Sequence, residues 1–148
     1  MSCKHHHNCE KAAKLTAEQL CETYGFRFTE SRKQVFEALI SSHKALTAKE
    51  LMVQIGNNQP PITYRALEFL TEAGLVHFIS SINAYIACAH AEDEGHISQF
   101  LICKECHEVE EFQAPDAVCL LMQSAKNGNF QVSDTSIEML GVCSECQN

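Results

Sequence analysis

Nowhere in these 148 residues is there an uninterrupted apolar run approaching the ~18 residues of a membrane-spanning helix. The opening stretch, "MSCKHHHNCEKAAK", has no apolar segment of the kind that a secretory signal needs. No internal repeat is present, and basic charge is scarce, with 11 Lys and Arg against 19 Asp and Glu for a net charge of −8. These absences argue against a membrane protein, an exported protein and a solenoid, and the expectation is a cytoplasmic protein with no membrane partner. Spread evenly, the acidity would also argue against nucleic acid, because phosphate contacts require Lys and Arg. It is not spread evenly. Residues 1–86 carry nine Lys and Arg against eight Asp and Glu, whereas residues 87–148 carry two against eleven. Two halves of such different charge predict two domains, joined by the polar, acidic "CAHAEDEGH" of residues 88–96.

What is present fits that division. With 45% apolar and 20% charged residues the chain can bury a core. Its nine cysteines, in a reducing compartment, point to metal or redox chemistry more than to disulfides.

The first half reads as helices followed by a hairpin. Ala12, Leu15, Leu20 and Tyr24 fall near one face of a helix that stops at Gly25. Thr29 can cap a second helix with Val35, Phe36, Leu39 and Ile40 inward, and Thr47-Ala48-Lys49-Glu50 is a capping box for a third that ends at Gly56. In "QPPITYRALEFLTEAG" the prolines suit a helix start, Ile62, Ala66, Phe69, Leu70 and Ala73 recur at helical spacing, and Gly74 closes it. Two β-rich runs around Ser80-Ser81-Ile82-Asn83 follow as a hairpin. This is the order of a winged helix-turn-helix, and Tyr64 and Arg65 lie in the first turn of its last helix, where side chains reach phosphates or base edges. The plain alternative packs Tyr64 on a neighbouring helix and leaves Arg65 as solvated surface.

The second half alternates strands ("ISQFLIC", "EVEEFQ", "SIEMLGVC") with one helix from about Pro115 to Lys126. It contains two C-x-x-C pairs, Cys103 with Cys106 and Cys143 with Cys146, which together can complete a tetrahedral zinc site of four thiolates. Such a site would tie the first strand of the domain to its last residues, a structural role. A redox pair would call for one C-x-x-C at a helix start, and two unrelated turns would leave four thiols without a task. Four further residues, His77, Cys88, His96 and Glu111, are of zinc-ligand types and straddle the linker, so a metal bound by them would join the domains. Each also has an ordinary reading, Cys88 as a small buried group and Glu111 as part of an acidic run, in which strand alternation points Glu110 and Glu111 to opposite faces. Cys21 and Cys119 read as core, His43 and His107 as surface, and "CKHHHNC" at 3–9 as a mobile tail with some capacity for metal.

In order, "FTESRKQVFEAL", "PPITYRALEFLTEAGLVH", "AYIAC", "HISQFLICKEC" and "CSEC" resemble the ferric uptake regulator family of bacterial metal-responsive repressors, over nearly the whole chain from about residue 12. The resemblance implies an α+β fold: an N-terminal winged helix-turn-helix domain (1–87, with 1–10 as tail), a hinge (88–96) and a C-terminal α/β dimerisation domain with a four-cysteine zinc site (97–148). It implies a homodimer that binds a pseudo-palindromic operator in double-stranded DNA when its regulatory metal is loaded. By position, Tyr64 and Arg65 match the family's DNA-contacting pair, and Cys103, Cys106, Cys143 and Cys146 its structural zinc. His77, Cys88, His96 and Glu111 match the regulatory site of the zinc uptake regulator branch, which implies two zinc ions per chain and repression of zinc uptake genes. A thiolate among these ligands favours zinc over iron(II), although iron- and peroxide-responsive members are the alternative. Many members carry a histidine run where "EGHISQ" here keeps only His96, which argues against a third metal site despite nearby His90 and Glu92. No enzymatic activity and no small-molecule substrate are expected. His90-Ala91-Glu92 with Cys103-Lys104-Glu105-Cys106 imitates a zinc nucleobase deaminase, but Ile102 stands where that signature has proline and the terminal C-x-x-C would have no task. A zinc-ribbon interaction module without DNA binding leaves the Tyr64-Arg65 helix unexplained.

Overall fold

The computed structural model describes residues 16–42, 44–88, 91 and 97–147. Ala12 and Leu15 of the first predicted helix, the histidine-rich tail, His43, His90, Glu92 and His96 lie outside the described residues. The chain forms two compact units, Met1–Asp93 and Glu94–Asn148.

The first unit is a winged helix-turn-helix. Helix α1, helical from 16 to 23, turns Ala17 and Cys21, four residues apart, into the core. It ends at Gly25, whose φ of +70° suits a residue without Cβ, and the Phe26 amide donates back to the Cys21 carbonyl at 2.7 Å. Tyr24, expected inward, is exposed: it sits at the unwinding end of the helix and meets Phe26 at the surface instead. Helix α2 (Glu30–Ser42) starts directly after Thr29, whose carbonyl accepts from the Lys33 amide, and buries Val35, Phe36, Ala38, Leu39 and Ile40. Helix α3 (Ala48–Ile55) carries the full capping box. The Glu50 amide donates to Thr47 Oγ1 at 3.2 Å, and the Thr47 amide donates to Glu50 Oε2 at 2.8 Å.

A left-handed Gly56 closes α3, and helix α4 (Pro60–Glu72) opens on its two prolines, where missing amide donors cost nothing. Thr63, Ala66, Leu67 and Leu70 form its buried face. Ile62, expected among them, lies about 100° round the helix from Thr63 and faces outward. Strands β1 (Val76–Ile79) and β2 (Ala84–Ala87) pair antiparallel with Val76 opposite Ala87, joined by a 3-10 turn at Ser80–Ile82 and Asn83 at φ +49°. Leu46 adds a bridge to Tyr85, with both backbone hydrogen bonds at 2.8 Å. Single-residue pairing of this kind has no periodicity to announce it in sequence.

The second unit is a three-stranded sheet in the order β4-β3-β5, with one helix. Strand β3 (Ser98–Cys103) is central, antiparallel to β4 (Val109–Glu111) and parallel to β5 (Ser136–Gly141); helix α5 (Pro115–Asn127) supplies the connection that parallel pairing requires. Phe100 and Ile102 are buried. Gln99, also buried, accepts the Ala114 amide on Oε1 and so holds the start of α5. No residue of α5 is fully buried in the single chain, and Cys119, expected in the core, is exposed beside Leu120 and Leu121. Its neighbours Val118 and Met122 are half-buried, whereas Cys119, Leu120 and Leu121 stay exposed on the side of α5 that no described residue covers. Among the described residues no helix is long and apolar enough to cross a membrane.

The capping box makes a test of this unit. Thr47→Ala is expected to lower its stability by about 1 kcal/mol, read as a lower urea midpoint. The hydrogen bond from the Thr47 backbone holds Glu50 below the ordinary carboxylate pKa. A depressed folded-state pKa gives stability that is present above the unfolded value and lost as pH falls through the folded one. The difference in urea midpoint between wild type and Glu50→Gln is therefore expected to shrink on acidification from pH 7 through the carboxylate range.

Candidate metal centre and DNA-facing helix

Strand pairing in the second unit brings its four C-x-x-C cysteines together. β3 ends at Cys103, opposite Gly141 at the end of β5, and the Lys104 amide donates to the Gly141 carbonyl at 2.9 Å. Cys143, two residues beyond, therefore arrives beside Cys103, and its amide donates to Cys103 Sγ at 3.4 Å. Each C-x-x-C folds into a tight turn. In the first, the His107 amide donates to the Cys103 carbonyl with His107 itself at φ +61°; in the second, the Cys146 amide donates to the Cys143 carbonyl at 3.0 Å. His107 is exposed, as its sequence position suggested.

All four sulfurs lie within 4.8 Å of one another, and those of Cys106 and Cys143 are 3.7 Å apart. Four sulfurs at about 2.3 Å from a common zinc would stand about 3.8 Å apart, so the spacing is that of a tetrahedral ligand set and too wide for a disulfide. The local electrostatics favour one thiolate and oppose four. Amide donation from Cys106 and Cys143 lowers Cys103 to about 6, while the Cys143 thiol, burial and the other two sulfurs push Cys146 up to about 12. A divalent cation among them removes that mutual repulsion. With four sulfurs converging, no ligand position is left open for substrate, which removes the structural basis of a deaminase.

In the first unit, β1 carries His77, and Cys88 follows β2 and donates its amide to the Leu75 carbonyl at 2.9 Å. His77 and Cys88 are diagonal neighbours on one face of the wing, both half-buried, with ligand atoms within 4.8 Å of each other. Sequence distance hides this pairing, which antiparallel register creates. In the second unit Glu111 lies opposite Phe100 and is half-buried, while Glu110 lies opposite Leu101 and is exposed, the alternation of a pleated strand.

Tyr64 and Arg65 are both exposed on the first turns of α4, with Tyr64 at 52%. Tyr64 shares a cleft of about 380 Å³ with Glu68, Thr71, Glu72, Phe78 and Tyr85, which spans the helix and the wing. Burial, with a smaller contribution from Tyr64, raises the pKa of Tyr85, whose ring lies 4.9 Å from that of Phe78 at a tilt of 46°. Packing that would hide Tyr64 in the core is absent, because Ala66, Leu67 and Leu70 already fill the buried face.

A structural metal held by these four cysteines would be worth on the order of 10 kcal/mol of apparent free energy, comparable with the whole stability of a small domain. Cys103→Ser and Cys143→Ser are each expected to lose one zinc per chain and to unfold the Glu94–Asn148 unit, read by metal analysis together with limited proteolysis. A variant short of one zinc whose second unit resists protease would contradict the structural role.

The ferric uptake regulator family profile matches residues 23–140. The chain is 31% identical over 134 residues to the zinc uptake regulation protein of Escherichia coli (strain K12), spanning 88% of this chain and 78% of that protein. It is 27% identical to the peroxide-responsive repressor PerR of Staphylococcus aureus (strain Mu50 / ATCC 700699), spanning 84% of each. A crystal structure of holo XcZur superposes with a TM-score of 0.85 at 34% identity, over 93% of this chain and 97% of that one. A zinc uptake regulator complexed with zinc and DNA superposes at 0.87 with 29% identity, over 93% and 94%. A profile match over most of the length, with the winged helix and the cysteine cluster in that family's order, places this chain in the ferric uptake regulator family, alongside its zinc uptake regulators.

Proposed function

We propose that this chain is a zinc-responsive transcriptional repressor of zinc uptake and homeostasis genes, which binds a pseudo-palindromic operator as a homodimer when its regulatory metal is loaded. The observation that carries this reading is the His77–Cys88 pair on the wing. It is a nitrogen and a sulfur donor, separate from the four-cysteine cluster, on the element next to the exposed face of α4. A thiolate in that set favours zinc over iron(II). Family membership makes the chain a regulator, with no enzymatic activity.

In this reading His77, Cys88, His96 and Glu111 hold the regulatory zinc, and Cys103, Cys106, Cys143 and Cys146 the structural one, two ions per chain. The half-buried position of Glu111 supports it over Glu110. Residues 1–87 bind DNA, 88–96 act as hinge and 97–148 dimerise, in the cytoplasm. Lys44, Lys49 and Arg65 stand exposed in the first unit, within residues 1–86, which carry no net acidity. Exposed Leu120, Leu121, Met139, Leu140 and Val142 in the second unit are the apolar surface that a second copy would cover. Tyr64 and Arg65 contact the operator from the major groove.

Because the four regulatory ligands come from both sides of the hinge in sequence, their ligation would select one arrangement of the domains for DNA. A swing from 1:99 to 99:1 needs about 5.5 kcal/mol of differential affinity, well within what zinc ligation provides. By linkage, operator DNA tightens zinc binding at the same site.

Cys88→Ser and His96→Ala are each expected to leave a folded dimer with its structural zinc in place and to lose zinc-activated DNA binding. The measurement is a zinc titration that follows anisotropy of labelled operator and sedimentation together, and a Cys88→Ser protein that binds at wild-type free zinc would refute the sensing role. Restoration of binding to metal-stripped protein by iron(II), and not by buffered zinc, would favour the iron-responsive alternative. Arg65→Ala is expected to weaken operator binding by about 1–3 kcal/mol with zinc content unchanged if it reads guanine, and to reduce the salt slope by about one if it contacts phosphate.

A further inference from the structure

Two successive residues of α4 are arranged against the usual preference for burial. Thr63 is 0% exposed, and its Oγ1 meets no hydrogen-bond partner among the described residues. Ile62, directly before it, is 36% exposed. Burying an unpartnered hydroxyl costs stability, and so does leaving a branched apolar side chain in water. The reverse order, hydroxyl outward and apolar residue inward, would avoid both costs at once, and both residues are β-branched, so helix propensity does not choose between the two orders. What distinguishes the present order is that it puts an apolar surface on the first turn of α4, three residues from Arg65 on the outward side.

In a major groove the apolar feature available to such a side chain is the C5-methyl group of thymine. We propose that Ile62 is a specificity residue that packs on a thymine methyl in each operator half-site, next to the base or phosphate met by Arg65. This rests on the reading of α4 as the DNA-facing helix and adds to it the class of base that flanks the Arg65 contact. The chemistry is non-covalent: the methyl and the Ile62 side chain leave water together, and uracil, which lacks the methyl, pairs identically but offers nothing to bury.

The test uses full-length, zinc-loaded protein. Duplexes enriched from a random pool provide the operator, which is then remade with deoxyuridine in place of each thymidine in turn, and Kd is measured by anisotropy for wild type and Ile62→Ala. At one thymine per half-site, the change to uracil is expected to weaken wild-type binding roughly fourfold, the worth of one buried methyl group. Ile62→Ala is expected to be indifferent to the same change. If no position shows a loss that depends on Ile62, the proposal is overturned while the DNA-binding reading stands. A pool that yields no enriched sequence would overturn that reading itself, and this proposal with it. Thr63→Val is expected to unfold at higher urea with base preference unchanged. A fall in its stability would show that the hydroxyl is satisfied, and the argument from its burial would fail.

Discussion

Four cysteine sulfurs within 4.8 Å of one another cannot all carry charge unless a cation lies among them, and the second unit is organised around that constraint. One cysteine ends the central strand, and another follows the parallel strand beside it. Satisfying the cluster therefore fixes the register of β3 with β5, and a parallel pair at the two ends of the unit obliges the chain to cross over through α5. The apolar interior available here is small: Phe100 and Ile102 are buried, but no residue of α5 is. A domain with so little core is one that a metal staple would stabilise, as in many small domains.

The first unit rests on a different principle. Its core of Val35, Phe36, Leu39, Leu51, Leu67, Leu70 and Val76 is apolar, so the outward face of α4 and the wing are left free for polar and ligand chemistry. Cysteine serves in both units, and the number of sulfurs distinguishes the roles. Four thiolates close a coordination sphere, whereas a single thiolate beside an imidazole makes a set that is mixed and incomplete on the wing alone. In the proposed sensing role, occupancy of such an incomplete set would depend on further ligands beyond the wing.

Much of this is legible in sequence where the causes are local. The capping box at Thr47–Glu50, the glycine stops at Gly25, Gly56 and Gly74, the proline entry to α4 and the two C-x-x-C pairs each act within a few residues, and each stands where its pattern indicates. Rotation of a helix about its axis is less local. Leu20 and Cys21 pack on the core as their sequence positions indicate, but Tyr24, expected on the same face, is exposed; hydrophobicity also points Ile62 inward, and Thr63 takes that place. Apolar character alone misassigns both positions, because the helix turns to suit its neighbours as a whole. Cys119 misleads for a related reason: an amphipathic face looks the same in sequence whether its cover comes from the same chain or from another.

By itself, then, the sequence determined the element types, the helix stops and starts, and the four cysteines that converge, since propensity, capping and C-x-x-C spacing act over a few bonds of chain. Tertiary structure decided which faces are turned inward, that Leu46 joins the wing, that Cys103 and Cys143 become neighbours through parallel pairing, and that His77 and Cys88 share one face of a hairpin. Those juxtapositions depend on strand register and on the competition of every apolar side chain for one interior, and no short stretch of residues contains that competition.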